Sequence, residues 1–467
     1  MRVPSLLPLL PCLLLYTLQS SSVFSLSTDE VFFSFQINEL SALNRLVQHL
    51  QLSIDSIDVA TRTVTAYAST ENFQALLEQH PQHEAKETGS PSASLPSMFD
   101  VLSLRGSIRE AQKSLSLPKA DSSSSSSTSA VVHSLQLRQR PSETGEAPVM
   151  SDKLTATSDV LSAYPTYEGY KSLVRGLAAL RPDLCRVEKI GDSVLGREIL
   201  LMRVSGDAND DKPSVLLDAN MHGDEVVGLP LSLKLVQTLL QGYDSDARLK
   251  SIVNSSVLWF IPLRNPDGTY AGGDTTIRGA RRFNSNWLDL NRNHPYMLMA
   301  EGPPGGRPIQ TENEVFLDFV RTHNFTLGVN MHGGAEVINY PWDSIQERHP
   351  DDAWWRRVAK KYADAAHAVD PRYMSRFDNG ITNGYDWYSV WGGEQDYMNH
   401  FRNTRMFTLE LSRPKMPPAR MLPFYWDRNK EGLLGFIEEA APVFESLKGE
   451  AEGSQGEEGG AENEILP

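Results

Sequence analysis

Residues 213–230 read PSVLLDANMHGDEVVGLP. Val215, Leu216 and Leu217 form a short apolar run suited to a buried strand, and the amphipathic stretch 225–240 that follows predicts a helix. His222 and Glu225 fall where strand passes to helix, and a spacing of three lets one helical turn aim both side chains at one point. An imidazole nitrogen and a carboxylate oxygen are two of the usual ligands of catalytic zinc. Alone, the H-x-x-E spacing is a weak signal that more often marks a surface or capping pair. The downstream residues decide between the two.

Residues 325–331 read as a second buried strand that ends at His332, just before Gly333-Gly334. His332 is thereby a third ligand on a strand end, and three protein ligands with one open position is the arrangement of catalytic rather than structural zinc. Arg405-Met-Phe-Thr-Leu-Glu-Leu411 alternates, so Phe407 and Leu409 share one face and Thr408 and Glu410 the other. A glutamate in an otherwise apolar strand is costly to bury without a task. Glu410 is suited to take a proton from an attacking water and return it to a leaving amine. The stretch 282–293, RFNSNWLDLNRN, adds Arg282, Arg292 and several amides. Guanidinium forks bind carboxylates through two parallel hydrogen bonds.

Around these residues, helical and strand-like segments alternate. A helix is expected over EGYKSLVRGLAAL, strands over 186–190 and 198–204 with turns at Gly191 and Gly196, and a buried strand over SVLWFIP. That strand ends at the turn signal Asn265-Pro-Asp-Gly268. Helices follow over 312–322 and 353–368, and a long one over 426–447 that Pro442 kinks or ends. This order predicts an α/β fold: a mixed, mostly parallel twisted sheet flanked by helices on both faces, its site at the carboxyl ends of the strands.

The first 25 residues read as a secretory signal peptide: Arg2, then an apolar stretch over 3–16, then small residues. That stretch is shorter than the roughly 20 residues needed to span a bilayer, so no stable membrane span is expected. Residues 28–80 suggest a small α+β module of two strands (VFFSFQI and RTVTAYAS) and two helices. Residues 81–157 are a Ser/Pro-rich linker with an unbroken serine run at 122–127, residues 158–448 the main domain, and 449–467 an acidic disordered tail. With Lys+Arg 44 against Asp+Glu 59 the chain carries −15, which argues against a nucleic-acid partner. Of two cysteines, Cys12 lies in the signal, leaving Cys185 unpaired and read as a small buried residue. Asn254 and Asn324 head triplets that match the glycosylation acceptor pattern, a match that arises often by chance, and the signal segment places the mature protein in the secretory pathway or the extracellular space.

The ordered set H-x-x-E, N-P-D-G, D-L-N-R-N, H-G-G with N-Y-P, W-Y-S with G-G-x-Q-D, and T-L-E-L resembles the zinc metallocarboxypeptidases over residues 164–447. It is most similar to their regulatory branch, which removes C-terminal Lys and Arg. The resemblance implies one Zn2+ on His222, Glu225 and His332, with Glu410 as general base and Arg282 stabilising the oxyanion. It implies that Asn291 and Arg292 grip the terminal carboxylate of a peptide or protein, and that Tyr388 closes over the substrate. Tyr340 corresponds to a subsite tyrosine, and Asp343 and Gln395 to positions that favour basic side chains. Trp387 and Trp391 are read as packing. The 28–80 module resembles the inhibitory pro-segments of other carboxypeptidases, an intramolecular partner for the site. Two further readings stand beside the exopeptidase: a catalytically inactive carboxypeptidase-like binding protein, and a related zinc amidohydrolase.

Overall fold

The computed structural model describes residues 148–206, 211–298 and 302–448, together with three strands nearer the N-terminus. Those strands, β1 (Glu30–Gln36), β2 (Ser53–Asp58) and β3 (Thr63–Ser69), form an antiparallel sheet in the order β1-β3-β2. β1 and β3 match the two expected strands, while β2 was not foreseen. The signal segment, the two helices expected in this module and the acidic tail lie outside the described residues.

In the main domain, β4 (Met150–Ser151) pairs with β5 (Tyr164–Pro165), and Leu154 and Ala156 are buried. Residues 148–157, assigned to the linker by composition, therefore pack on this domain. The central sheet contains β6 (Cys185–Asp192), β7 (Glu198–Val204), β8 (Ser214–Ala219), β9 (Val257–Ile261), β10 (Leu327–His332), β11 (Glu336–Tyr340), β12 (Ile381–Asn383) and β13 (Arg405–Leu411), in the order β12-β11-β13-β10-β8-β9-β7-β6. Its middle, β13-β10-β8-β9, is parallel, and the antiparallel pairs lie toward both edges. Such buried parallel strands need cover on both faces. Val215, Leu217, Leu258, Phe260 and Val329 turn to one apolar cluster. Leu216, Val257, Trp259 and Ile261 turn to the other. The first cluster takes the apolar stripes of α1 (Tyr167–Leu180), α2 (Gly228–Gly242), α6 (Asp352–Val369) and α9 (Leu422–Glu438). The second takes α5 (Thr311–Thr322) and α8 (Glu394–Phe401). α3 (Ala247–Ser255) and two single turns, α4 (Pro266–Thr269) and α7 (Gly384–Trp387), complete the helices that matter here.

Two local readings need correction. α2 begins at Gly228, so Glu225 lies on the preceding turn rather than in the helix. Gly191 sits inside β6 at a register shift instead of in a turn, whereas Gly196, at φ +81°, does make the β6–β7 turn. As expected, the long final helix is interrupted near Pro442: it stops at Glu438, whose carbonyl Pro442 cannot bond, and helical structure resumes over 440–448. Cys185 is free and buried, and burial pushes its thiol up to about 12. Among the described residues, no helix is long and apolar enough to cross a membrane.

Candidate active site

β8, β10 and β13 run parallel and deliver their carboxyl ends to one place. β8 leads into the His222–Glu225 turn, closed by the Glu225 N–H donating to the His222 carbonyl at 3.1 Å. This turn, not a helix, carries the H-x-x-E spacing. Gly223 is required within it, because a Cβ there would come within 2.3 Å of the Gly268 backbone. The N-P-D-G segment does more than turn the chain. Asn265 Oδ1 accepts from Gly268 N (2.8 Å), while its Nδ2 donates to the carbonyls of Met221 (3.1 Å) and Arg282 (3.4 Å). One amide thus ties the ligand turn to the backbone of Arg282.

His332 ends β10 and stands in register with Glu410 on β13. His222 Nδ1, His332 Nδ1 and Glu225 Oε2 converge at mutual distances of 3.1, 3.0 and 2.9 Å. His222 Nε2 lies 2.9 Å from Asp289 Oδ1; in the neutral ring that donates there, Nδ1 is a bare lone pair facing the carboxylate oxygen. Two acceptors pressed together in a buried site call for a cation between them. Two imidazoles and a carboxylate are a donor set that suits zinc, and the three residues form the one such cluster found among the described residues. Burial by itself would raise the Glu225 carboxyl, but His222 and Lys415 outweigh it and hold the group well below the usual carboxylate range.

The surrounding groups are ordered by charge. Asp289 receives His222 Nε2 on one oxygen and Arg282 Nε on the other (2.9 Å each). Despite burial, Arg282 and His222 keep it well below the ordinary range. Glu225 Oε1, the oxygen turned away from the histidines, lies 3.3 Å from Arg282 Nη1 and 3.1 Å from Lys415 Nζ. Glu410 is pushed up to about 7 by burial and by the Glu225 carboxylate, and its Oε2 is buried with no hydrogen-bond partner in the protein. This is the profile of a proton acceptor poised near neutral pH.

One pocket contains His222, Glu225, His332, Arg282, Asn291, Asp343, Tyr388 and Glu410 among its lining residues. Arg292 stands beside it: Nη1 donates to the Asn291 carbonyl (2.9 Å), while Nε and Nη2 are buried without a partner. Asp343 is buried, and its Oδ1 accepts from Asn339 Nδ2 (3.0 Å) and Gln395 Nε2 (2.7 Å). Gln395 therefore supports Asp343 from behind instead of lining the pocket. Burial and the neighbouring Asp396 push Asp343 well above its ordinary range. Burial raises the Tyr388 hydroxyl to about 12, so it stays protonated.

Tyr340 is not among the residues that line this pocket. It belongs to the apolar core, and the charges that reach its hydroxyl, on Arg356, Asp352, Arg348 and Asp386, are not among the pocket's lining residues. Trp387, read from sequence as packing, does line the pocket, whereas Trp391 stacks on Tyr296 with centroids 5.6 Å apart. Two site residues had no assigned role in the sequence reading. Asp289 was visible inside D-L-N-R-N. Lys415 follows the last strand with nothing in its local pattern to mark it.

A family model described as zinc carboxypeptidase matches residues 170–432. The chain belongs to the zinc carboxypeptidase family. Carboxypeptidase D of Anas platyrhynchos is 34% identical over 315 residues, 63% of this chain and 22% of that protein. The carboxypeptidase N catalytic chain of Rattus norvegicus is 33% identical over 320 residues, 60% of this chain and 69% of that one. This chain spans about a fifth of the length of the carboxypeptidase D relatives, given that 22%. Among solved structures, carboxypeptidase A from Helicoverpa armigera superposes with a TM-score of 0.58 at 19% identity, covering 89% of this chain and 98% of that one. Thrombin activatable fibrinolysis inhibitor does so with a TM-score of 0.58 at 14% identity, covering 89% and 99%. At these identities the two structures speak for the fold.

Proposed function

We infer that this protein is a zinc-dependent exopeptidase that releases single C-terminal residues from peptides or proteins, with a preference for Lys and Arg. The observation that carries the reading is the convergence of His222 Nδ1, Glu225 Oε2 and His332 Nδ1 within 3.1 Å of one another, beside Glu410, whose Oε2 has no partner in the protein. His222, Glu225 and His332 would hold a zinc ion, which would supply Lewis acidity to the scissile carbonyl and lower the pKa of water. Glu410 takes the proton of the attacking water and returns it to the leaving amine. Arg282, fixed by Asp289, faces the oxyanion. Asn291 and the open Nε and Nη2 of Arg292 receive the substrate's terminal carboxylate, which restricts cleavage to the last peptide bond. Tyr388 donates its retained proton to bound substrate.

The preference for basic residues rests on Asp343. Its carboxylate sits in the pocket with only amides bonded to it, so a Lys or Arg side chain would supply the missing counter-charge. We assign the protein to the secretory pathway or the extracellular space on its N-terminal segment. The 28–80 module enters the same reading as an intramolecular cover for the site until the linker is cut; equal activity of the full-length chain and one beginning near Ser158 would remove that part. The main test offers the zinc-loaded protein peptides ending in Arg, Lys, Phe or Glu. Preferential release of Arg and Lys is expected, with Glu410→Gln inactive. Release of Phe first would overturn the role of Asp343, and release of none the reading itself.

A further inference from the structure

A charged cluster lies beneath the pocket and takes no part in the chemistry above. Arg264, Asp218 and Glu394 are each 0% exposed. Arg264 Nη1 reaches Asp218 Oδ2 at 3.1 Å and Glu394 Oε2 at 3.3 Å. Its Nε donates to the Glu312 carbonyl (3.1 Å), its Nη2 donates to Asn313 Oδ1 (3.1 Å), and the guanidinium lies 3.7 Å from the Phe316 ring centroid. Withdrawing such charges from water costs several kcal/mol per ion, and well-packed apolar residues often serve stability as well or better. Stability alone is therefore a poor reason for this cluster.

Its partners lead to the substrate side of the site. Asn313 Nδ2 donates to the Leu290 carbonyl (2.9 Å) and to Asn293 Oδ1 (3.4 Å). The Glu394 N–H donates to Asn291 Oδ1 (2.9 Å). Both routes end on the 3-10 turn Leu290–Arg292, which presents Asn291 and Arg292. In the other direction, the Arg264 N–H donates to the Ala219 carbonyl (3.0 Å) and the Asn265 N–H to that of Asn220 (3.1 Å), on the segment leading to His222. One buried fork thus joins the backbone that carries the metal ligands to the turn that carries the carboxylate grip.

We propose that Arg264 is a positioning residue for the substrate's terminal carboxylate, its fork fixing the Leu290–Arg292 turn at a set distance from the His222–Glu225 turn through Asn313 and Glu394. This rests on the exopeptidase reading. A displacement of the grip weakens ground-state and transition-state binding alike, which appears in KM rather than kcat.

The test uses the full-length, zinc-loaded protein with a blocked dipeptide ending in arginine and with free arginine as competing product. Arg264→Lys keeps the charge and removes the fork. KM is expected to rise about tenfold with kcat within about twofold, and the inhibition constant of free arginine to rise by the same factor. The zinc content should be unchanged. A triple variant, Asp218→Leu with Arg264→Met and Glu394→Met, removes all three ionisable groups together and should show the same split in a folded protein. Either variant, folded and with wild-type KM and arginine inhibition, overturns the proposal. Failure of both to fold also overturns it, since the cluster would then serve folding. A wild-type protein that releases no C-terminal residue would instead sink the exopeptidase reading, and the two failures are distinct.

Discussion

His332 and Glu410 are a register pair on adjacent parallel strands, so a metal ligand and the proposed base are set side by side by sheet geometry and not by loops. The ligand triangle does not include Glu410, whose Oε2 has no protein partner. Glu410→Gln should therefore lower kcat by about 10²–10⁴-fold while zinc stoichiometry stays at the wild-type value. Steady-state kinetics with metal analysis on the same sample check this; loss of zinc together with activity would contradict it.

The same carboxyl governs the acid side of the pH profile. With no cation at the three ligands, burial and Glu225 push Glu410 up to about 7. A bound dication favours the ionised form and moves that value lower. A base works only when ionised, so kcat/KM should fall as pH drops from 7 toward 5, following one deprotonation. A rate that climbs over that interval as pH falls would exclude Glu410 as the base.

Asp289 holds His222 Nε2 and Arg282 Nε with its two oxygens. Asp289→Ala should weaken zinc binding by about 10–100-fold, the usual effect of losing a carboxylate behind a ligating histidine. Competition with a chromophoric chelator measures this without relying on turnover. An unchanged zinc affinity would remove Asp289 from the metal's support.

Asp343 without a basic side chain is held well above its usual range by burial and Asp396. Pairing with Lys or Arg needs the ionised form, so KM for an arginine-terminated peptide should rise as pH is lowered, more than KM for a phenylalanine-terminated one. Asp343→Asn should cost the arginine peptide about 1.5–3 kcal/mol, roughly 10- to 150-fold in kcat/KM, and leave the phenylalanine peptide nearly unaffected. Parallel changes for both peptides would contradict the pocket role.

Where periodicity is strong, the chain shows its fold plainly. The alternation in residues 405–411 placed Phe407 and Leu409 in the core and Thr408 and Glu410 toward the pocket, where they lie. Metal ligands were legible because they sit at the ends of buried runs. The reading failed where tertiary contacts override local pattern. Glu225 precedes its helix, on a turn whose Gly223 packs against the Gly268 backbone. Lys415 and Arg264 reach their partners only after the strands are assembled, and neither sits in a periodic segment that would mark it.

X-ray absorption at the zinc edge, on the full-length protein loaded with one equivalent of metal, tests the central arrangement most directly. The account predicts one zinc bound by two imidazole nitrogens and a carboxylate oxygen, with one imidazole signal lost in His332→Ala. A spectrum identical in wild type and His332→Ala would place the metal elsewhere and contradict the account.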